Sequence, residues 1–416
     1  MKNLVKFSKA WMLALLCVLF LGVGIKAEAA PGTVTGLKQT GHNTTAVQVE
    51  WKKVTDAAKY KVEYCENSSF SGNIKSGEIS TNSGVIGGLT AGKSYYVRVS
   101  AIDASGNVGT ASSKIEVVTC PSKVSGLKQT KAENEKISLS WNKAAGASYY
   151  RIGYVKSTSS KPTYKNVTTN SYSFKASANS QYAVAVLPAR KSSTGYIASN
   201  DYTQTTMATL PGKISSVKMY ASGSDTKPTA NIVDFTWKRS NAAAGYEYEV
   251  YGSGKKPIVK KSVANQNSKT ILVREKSKKL KNGQFMKIRV RGYVKIGRTK
   301  KYGKWSDYTY FAKYPTGIKK SMVGNRASDG VKISWKKVSG ATNYTVYVTK
   351  NPRSTKWSKV TTTKKTNCVI KKCGKSALTT YTNYYYRIVA NKKVKKTTYK
   401  SDTDWYNSFR IVTSYY

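Results

Sequence analysis

Histidine is nearly absent from this 416-residue chain, and its scarcity removes most routes to catalysis. His42, the one copy, stands in a Gly-His-Asn-Thr stretch with no Ser, Cys or carboxylate set beside it to activate, and reads as a loop residue between two early strands. Acids are scarce too, 20 against 71 Lys and Arg. A glycosidase needs two carboxylates facing one cleft, whereas residues 211–416 hold nine acids scattered along the chain. Asp402 and Asp404, two apart beside Trp405, would share one strand face and read as a solvated edge. There is no glycine-rich phosphate loop, calcium loop or zinc spacing. These absences point away from an enzyme, and no cofactor is expected.

Cysteine is also too rare to make a disulfide scaffold. Cys17 falls inside an N-terminal apolar stretch, leaving Cys65, Cys120, Cys368 and Cys373 for the remaining chain. Hydrophobic cores must therefore carry stability. Cys368 and Cys373 are close enough in sequence to be candidates for a small loop disulfide, and Cys65 and Cys120 fall at strand ends. Without paired short spacings or a nearby histidine, the four are not read as a metal site. Long apolar runs are limited to Trp11–Val23, which is short for a membrane span. It follows Lys2, Lys6 and Lys9 and precedes Ala27-Glu28-Ala29, so residues 1–30 are expected to be an export signal, cleaved after Ala29 or Ala30.

What the chain does have is one phrase written four times. A tryptophan is followed nine residues later by a tyrosine: Trp51 and Tyr60, Trp141 and Tyr150, Trp237 and Tyr246, Trp335 and Tyr344. Behind each tyrosine the large β-favouring residues fall at every second position, the period of a half-buried strand. Successive tryptophans are 90, 96 and 98 residues apart, long enough for each repeat to build its own core. The expected domains are 31–120, 121–210, 211–314 and 315–416, each opening near a proline (Pro31, Pro121, Pro211, Pro315). About seven short strands per repeat imply an all-β chain of four tandem immunoglobulin-like β-sandwiches, with the tryptophan between the sheets.

The residues resemble the fibronectin type III family over essentially all of 31–416. LTAGKSYYVRVSAIDASGNVG (89–109) is similar to that family's later strands. The resemblance implies a corner in which the hydroxyl of Tyr95, six residues after Leu89, bonds back to the backbone. Leu378 and Tyr384 repeat the pattern, the second repeat keeps Tyr182 without the leucine, and the third has Leu280 but Met286 where the tyrosine should be. KIRVRGY (287–293) and YGKWSDY (302–308) still read as the third repeat's last strands.

Charge is distributed unevenly. The net charge is +2 for residues 31–120, +9 for 121–210, +18 for 211–314 and +19 for 315–416. Such a gradient points the C-terminal half at an anionic partner. The candidate ligand-binding residues sit in two aligned loops. Lys295, Arg298, Lys300, Lys301, Lys304 and Trp305 lie in GYVKIGRTKKYGKWSDY (292–308); Lys392, Lys393, Lys395, Lys396 and Lys400 lie in ANKKVKKTTYK (390–400). Lys276 to Lys281 adds to the same field on a turn before Met286. The competing reading is a solvated hairpin that guards an edge strand.

The expectation is thus an exported, extracellular or cell-wall-associated binding or adhesion protein. Anionic polysaccharide or teichoic acid would be its partner, and DNA would bind only non-specifically. The alternative is an accessory module of a secreted polysaccharide-degrading system.

Overall fold

A computed structural model describes residues 29–193, 195–220, 232–401 and 409–413. Most of residues 1–30, where the export signal is expected, and Asp402, Asp404 and Trp405 lie outside the described residues. The chain divides into two compact units, one ending at Thr119 and the other beginning at Cys120.

The first unit is a single sandwich. Lys38–His42, Val47–Glu50 and Ser83–Ile86 form one sheet; Lys75–Ile79, Lys59–Cys65, Ser94–Ile102 and Ile115–Val118, in that spatial order, form the other. His42 ends the first of these strands, opposite Val47, and is half-buried rather than an exposed loop residue. The second unit holds three more sandwiches, each with a three-stranded sheet facing a five-stranded one. In the third repeat these are Lys218–Tyr220, Ile232–Lys238 and Thr270–Lys276 against Pro257–Ala264, Gly245–Tyr251, Met286–Ile296 and Thr299–Tyr302. Thr309–Phe311 returns to pair with the start of Met286–Ile296. The fold is all-β throughout, and among the described residues no helix is long and apolar enough to cross a membrane.

The repeated tryptophan–tyrosine phrase is the centre of each core. All four tryptophans are buried between the sheets. Their rings meet the tyrosines edge to face, with centroids 5.3, 5.3, 5.6 and 5.3 Å apart, the geometry that the aromatic quadrupole favours. Each tyrosine hydroxyl then accepts a hydrogen bond from the backbone N–H three residues after the tryptophan: Val54, Ala144, Ser240 and Val338, at 2.8–3.0 Å. The nine-residue spacing is therefore a geometric requirement. It spans the loop whose backbone donor would otherwise be buried without a partner.

The second corner follows the same logic. Tyr95, Tyr182 and Tyr384 accept from the N–H of Thr90, Ser177 and Thr379. In the second repeat Ala176 fills the leucine's place, and in the third a buried Met286 replaces the tyrosine outright.

Within the second unit the repeats touch through their ends. Asn179 Oδ1 accepts from the Ser240 hydroxyl (2.5 Å) and the Gly212 N–H (3.3 Å), beside an apolar contact of Ala208, Ala242 and Val294. Between the third and fourth repeats, Phe285 N–H donates to Ser339 O and Ser339 N–H donates to Gly283 O, both 2.9 Å. Ala312 also bridges to Ser401, and Phe285 and Ala312 join the fourth repeat's core.

Candidate functional site

Both basic loops are tight hairpins built on the longest strand of their sandwich. In the third repeat Lys295 stands directly opposite Lys300, and Val294 opposite Lys301. Ile296 pairs with Thr299, which leaves Gly297 and Arg298 as the turn, with Gly297 at φ 57°, where side chains are disfavoured. In the fourth repeat Lys392, Lys393 and Val394 face Tyr399, Thr398 and Thr397, and Lys400 faces Asn391. Its turn is Lys395-Lys396, and Lys395 sits at φ 54°. The position that Gly297 occupies without strain is thus given to a lysine, at a cost of roughly 1 kcal/mol.

Lys295, Arg298, Lys301, Lys304, Lys393, Lys395, Lys396 and Lys400 are exposed, and Lys300 and Lys392 half-buried. Lys300 Nζ donates to the Ser262 hydroxyl and lies 4.6 Å from the Tyr293 ring. Lys392 Nζ donates to Gly340 O (3.1 Å) and lies near the Phe285 and Tyr310 rings, and Tyr399 packs on Tyr310. The base of this hairpin is therefore part of the joint with the third repeat, as Val294 is part of the joint with the second. Lys276, Lys278, Lys279 and Lys281 are exposed around a turn closed by Leu280 N–H to Ser277 O.

The third repeat's acids are spent elsewhere. Glu247, Glu249, Glu275 and Asp234 are all buried, an arrangement stable only when each is paired. Glu247 pairs with Arg291 at 2.6 Å, Glu249 with Arg289 at 2.7 Å, Glu275 with Lys261 at 2.9 Å, and Asp234 with both ends of the Arg274 fork. Tyr251 and Tyr248 hydroxyls donate to Glu249 and Glu275. Burial alone would raise the Glu249 carboxyl. Hydrogen bonds from Tyr251 and Arg289, and the Arg289 charge, outweigh it and hold the group below the usual glutamate range. Asp307 is held by Lys213 at 2.8 Å. Among the described residues, no hairpin cation on either repeat makes an ion pair.

Trp305 does not belong with the hairpin. It lies beyond Thr299–Tyr302, and its ring is covered by the guanidinium groups of Arg289 (4.4 Å) and Arg291 (4.3 Å), with Tyr308 and Tyr302 continuing the stack. Both guanidinium groups lie against its half-buried ring, which ties Trp305 to the ion-paired face of the sheet rather than to the hairpin. Glu247 and Glu249 on one strand and Arg289 and Arg291 on the next alternate with the same period of two, but only the strand register shows that they pair.

Cys368 and Cys373 are not bridged; all four described cysteines are free thiols. Cys368 pairs with Ile333 within a sheet, Cys373 sits in the separate Lys372–Cys373 and Ser376–Ala377 hairpin, and both pack on the core. Burial pushes the Cys368 thiol up to about 11 and raises Cys373 as well, so neither carries the reactive thiolate at neutral pH. Among the described residues no group of three or more His, Cys, Asp or Glu could hold a metal ion.

Residues 30–118 match the family model of the fibronectin type III domain. The chain carries a fibronectin type III domain in its first repeat, followed by three further two-sheet β-sandwiches. Similar solved structures are of the same class. A two-domain segment of chicken tenascin is 19% identical and covers 42% of this chain and 98% of its own, with a TM-score of 0.30. The FN1-FN3 domains of chicken CNTN1 are 17% identical, covering 68% and 98%, at 0.25. The FN5 domain of Drosophila Lar is 26% identical, covering 22% and 98%, at 0.20. No curated protein matches the chain. Domains of this kind typically serve as non-catalytic binding or adhesion modules.

Proposed function

We propose that the chain is an exported, non-enzymatic adhesion protein whose third and fourth repeats hold an anionic cell-wall polymer, teichoic acid or an acidic glycan, at the two basic hairpins. One observation carries this reading. The buried acids of the third repeat are all consumed by cations elsewhere, while ten lysines and arginines on two equivalent hairpins have no carboxylate partner among the described residues. An edge guard would need one or two charges and no strain. Here two lysines stand directly opposite each other, unfavourable without a counter-ion, and on the other hairpin a lysine occupies a strained left-handed turn position of the kind that persists at functional sites. Repetition along a polymer would supply avidity without a deep pocket.

The test is retention of the full exported chain on Gram-positive walls, with and without teichoic acid, at low and physiological salt. A variant with Lys392, Lys393, Lys395 and Lys396 changed to Gln should be released at physiological salt, and stripping teichoic acid should release the parent. Equal retention of parent and variant would remove the hairpins from the account.

A further inference from the structure

The second repeat has a site of its own, on the outer face of its larger sheet. Tyr164 stands opposite Gly153, Gly153 opposite Ala185, and Ala185 opposite Gln204, one row crossing Thr163–Val167, Tyr149–Lys156, Gln181–Ser192 and Thr203–Ala208. In the third repeat the positions matching Arg151, Gly153, Ala185 and Leu187 are Glu247, Glu249, Arg289 and Arg291, whose ion pairs and Trp305 fill that face. In the second repeat the face is left open. Gly153, Ala183 and Ala185 make a floor of small residues, and Tyr164 and Tyr202, 53% and 59% exposed, stand at opposite edges of a groove of about 460 Å³. A Cβ on Gly153 would meet the Tyr164 ring at 3.0 Å, so the glycine lets the ring lie across the strand.

Arg151 is the charged residue of this groove. Its guanidinium is 4.5 Å from the Tyr164 ring centre, no carboxylate lines the groove, and Arg151 makes no ion pair among the described residues. Apolar ring faces over a shallow floor, with a few polar groups at the rim, suit a flat ligand with C–H faces and hydroxyl edges. The unpaired cation adds a requirement for negative charge. We propose that this groove binds acidic oligosaccharide, a uronate pyranose stacking on the exposed Tyr202 ring with its carboxylate at Arg151, whose guanidinium Tyr164 positions, and its hydroxyls at Gln204. The three inter-strand steps between the edge strands span about 14 Å, room for roughly two sugar rings.

Saturation-transfer NMR and calorimetry on the full exported chain, with a short oligogalacturonide and a neutral cello-oligosaccharide of equal length at physiological salt, test the assignment. Saturation should reach the sugar C–H protons, and the acidic sugar should bind more tightly. Tyr164→Ala and Tyr202→Ala should each weaken binding by about tenfold. Ala183→Glu, a substitution on an exposed position, should abolish it, and Arg151→Gln should erase the preference for the acidic sugar. The effects of Tyr202→Ala, Ala183→Glu and Arg151→Gln should persist in the four-lysine hairpin variant, which separates the groove from the hairpins. Absence of binding, binding unchanged by Tyr202→Ala and Ala183→Glu, equal affinity for the neutral sugar, or disappearance of these effects in the hairpin variant would each overturn the assignment.

Discussion

An edge-to-face tryptophan–tyrosine pair, with that tyrosine's hydroxyl accepting from a loop N–H, recurs in every repeat, so single residues carry much of each core. Trp335→Ala should destabilise the fourth repeat by about 3–5 kcal/mol, read as loss of amide-exchange protection in that repeat. A loss near 1 kcal/mol would mean the ring is not a core element. Lys395 offers the opposite sign. Lys395→Gly relieves a left-handed φ and should stabilise the hairpin by about 1 kcal/mol in thermal unfolding while weakening retention on anionic walls. These positions differ in how openly the sequence announces them. The tryptophans and their tyrosines are visible from spacing alone, because a hydrogen bond across a loop demands a fixed number of residues. The strain at Lys395 is invisible there, since nothing in a run of lysines reveals which of them takes the turn.

Strands and hairpins bring a different kind of order. Period-two alternation identifies the buried face of Gly245–Tyr251 and Met286–Ile296, but the wet face reads as merely polar. That face carries the Glu247–Arg291 and Glu249–Arg289 pairs, and pairing across strands depends on a register that one strand's pattern does not contain. The packing of Trp305 is hidden for the same reason. Its partners lie on a strand adjacent in space and more than a dozen residues away in sequence. Glu249 makes the pairing measurable. Its carboxyl is held below the glutamate range when folded, so its contribution is fully present above the unfolded value of about 4.3 and is lost as pH falls through the depressed folded value. Unfolding of the third repeat followed from about pH 5 down to about pH 2 should show this loss, and Glu249→Gln should flatten it. At neutral pH the same substitution should cost about 3 kcal/mol or somewhat less, because Arg289 keeps part of its surface in water. The open groove of the second repeat is equally hidden. Glycine and alanine on a wet face look like weak strand formers until a tyrosine is seen lying over them.

For the whole molecule the charge gradient is the feature that composition reveals completely, and the two hairpins carry ten of the 46 Lys and Arg in residues 211–416. Polyelectrolyte binding at such a surface should weaken steeply with salt. On duplex DNA, the slope of log affinity against log salt should fall by about 0.9 for each phosphate that the four-lysine variant no longer neutralises, with no change in sequence preference. A slope that stays the same would place the bound phosphates elsewhere on the surface. The joints give this array a further property. Lys392 reaches Gly340 and Tyr399 rests on Tyr310, so the strand pair that carries the cationic tip is also a bearing surface between two sandwiches. Lys392 thus belongs to the cationic hairpin and to the joint at once, so a ligand that drew its ammonium away from Gly340 O would also remove one contact between the two sandwiches.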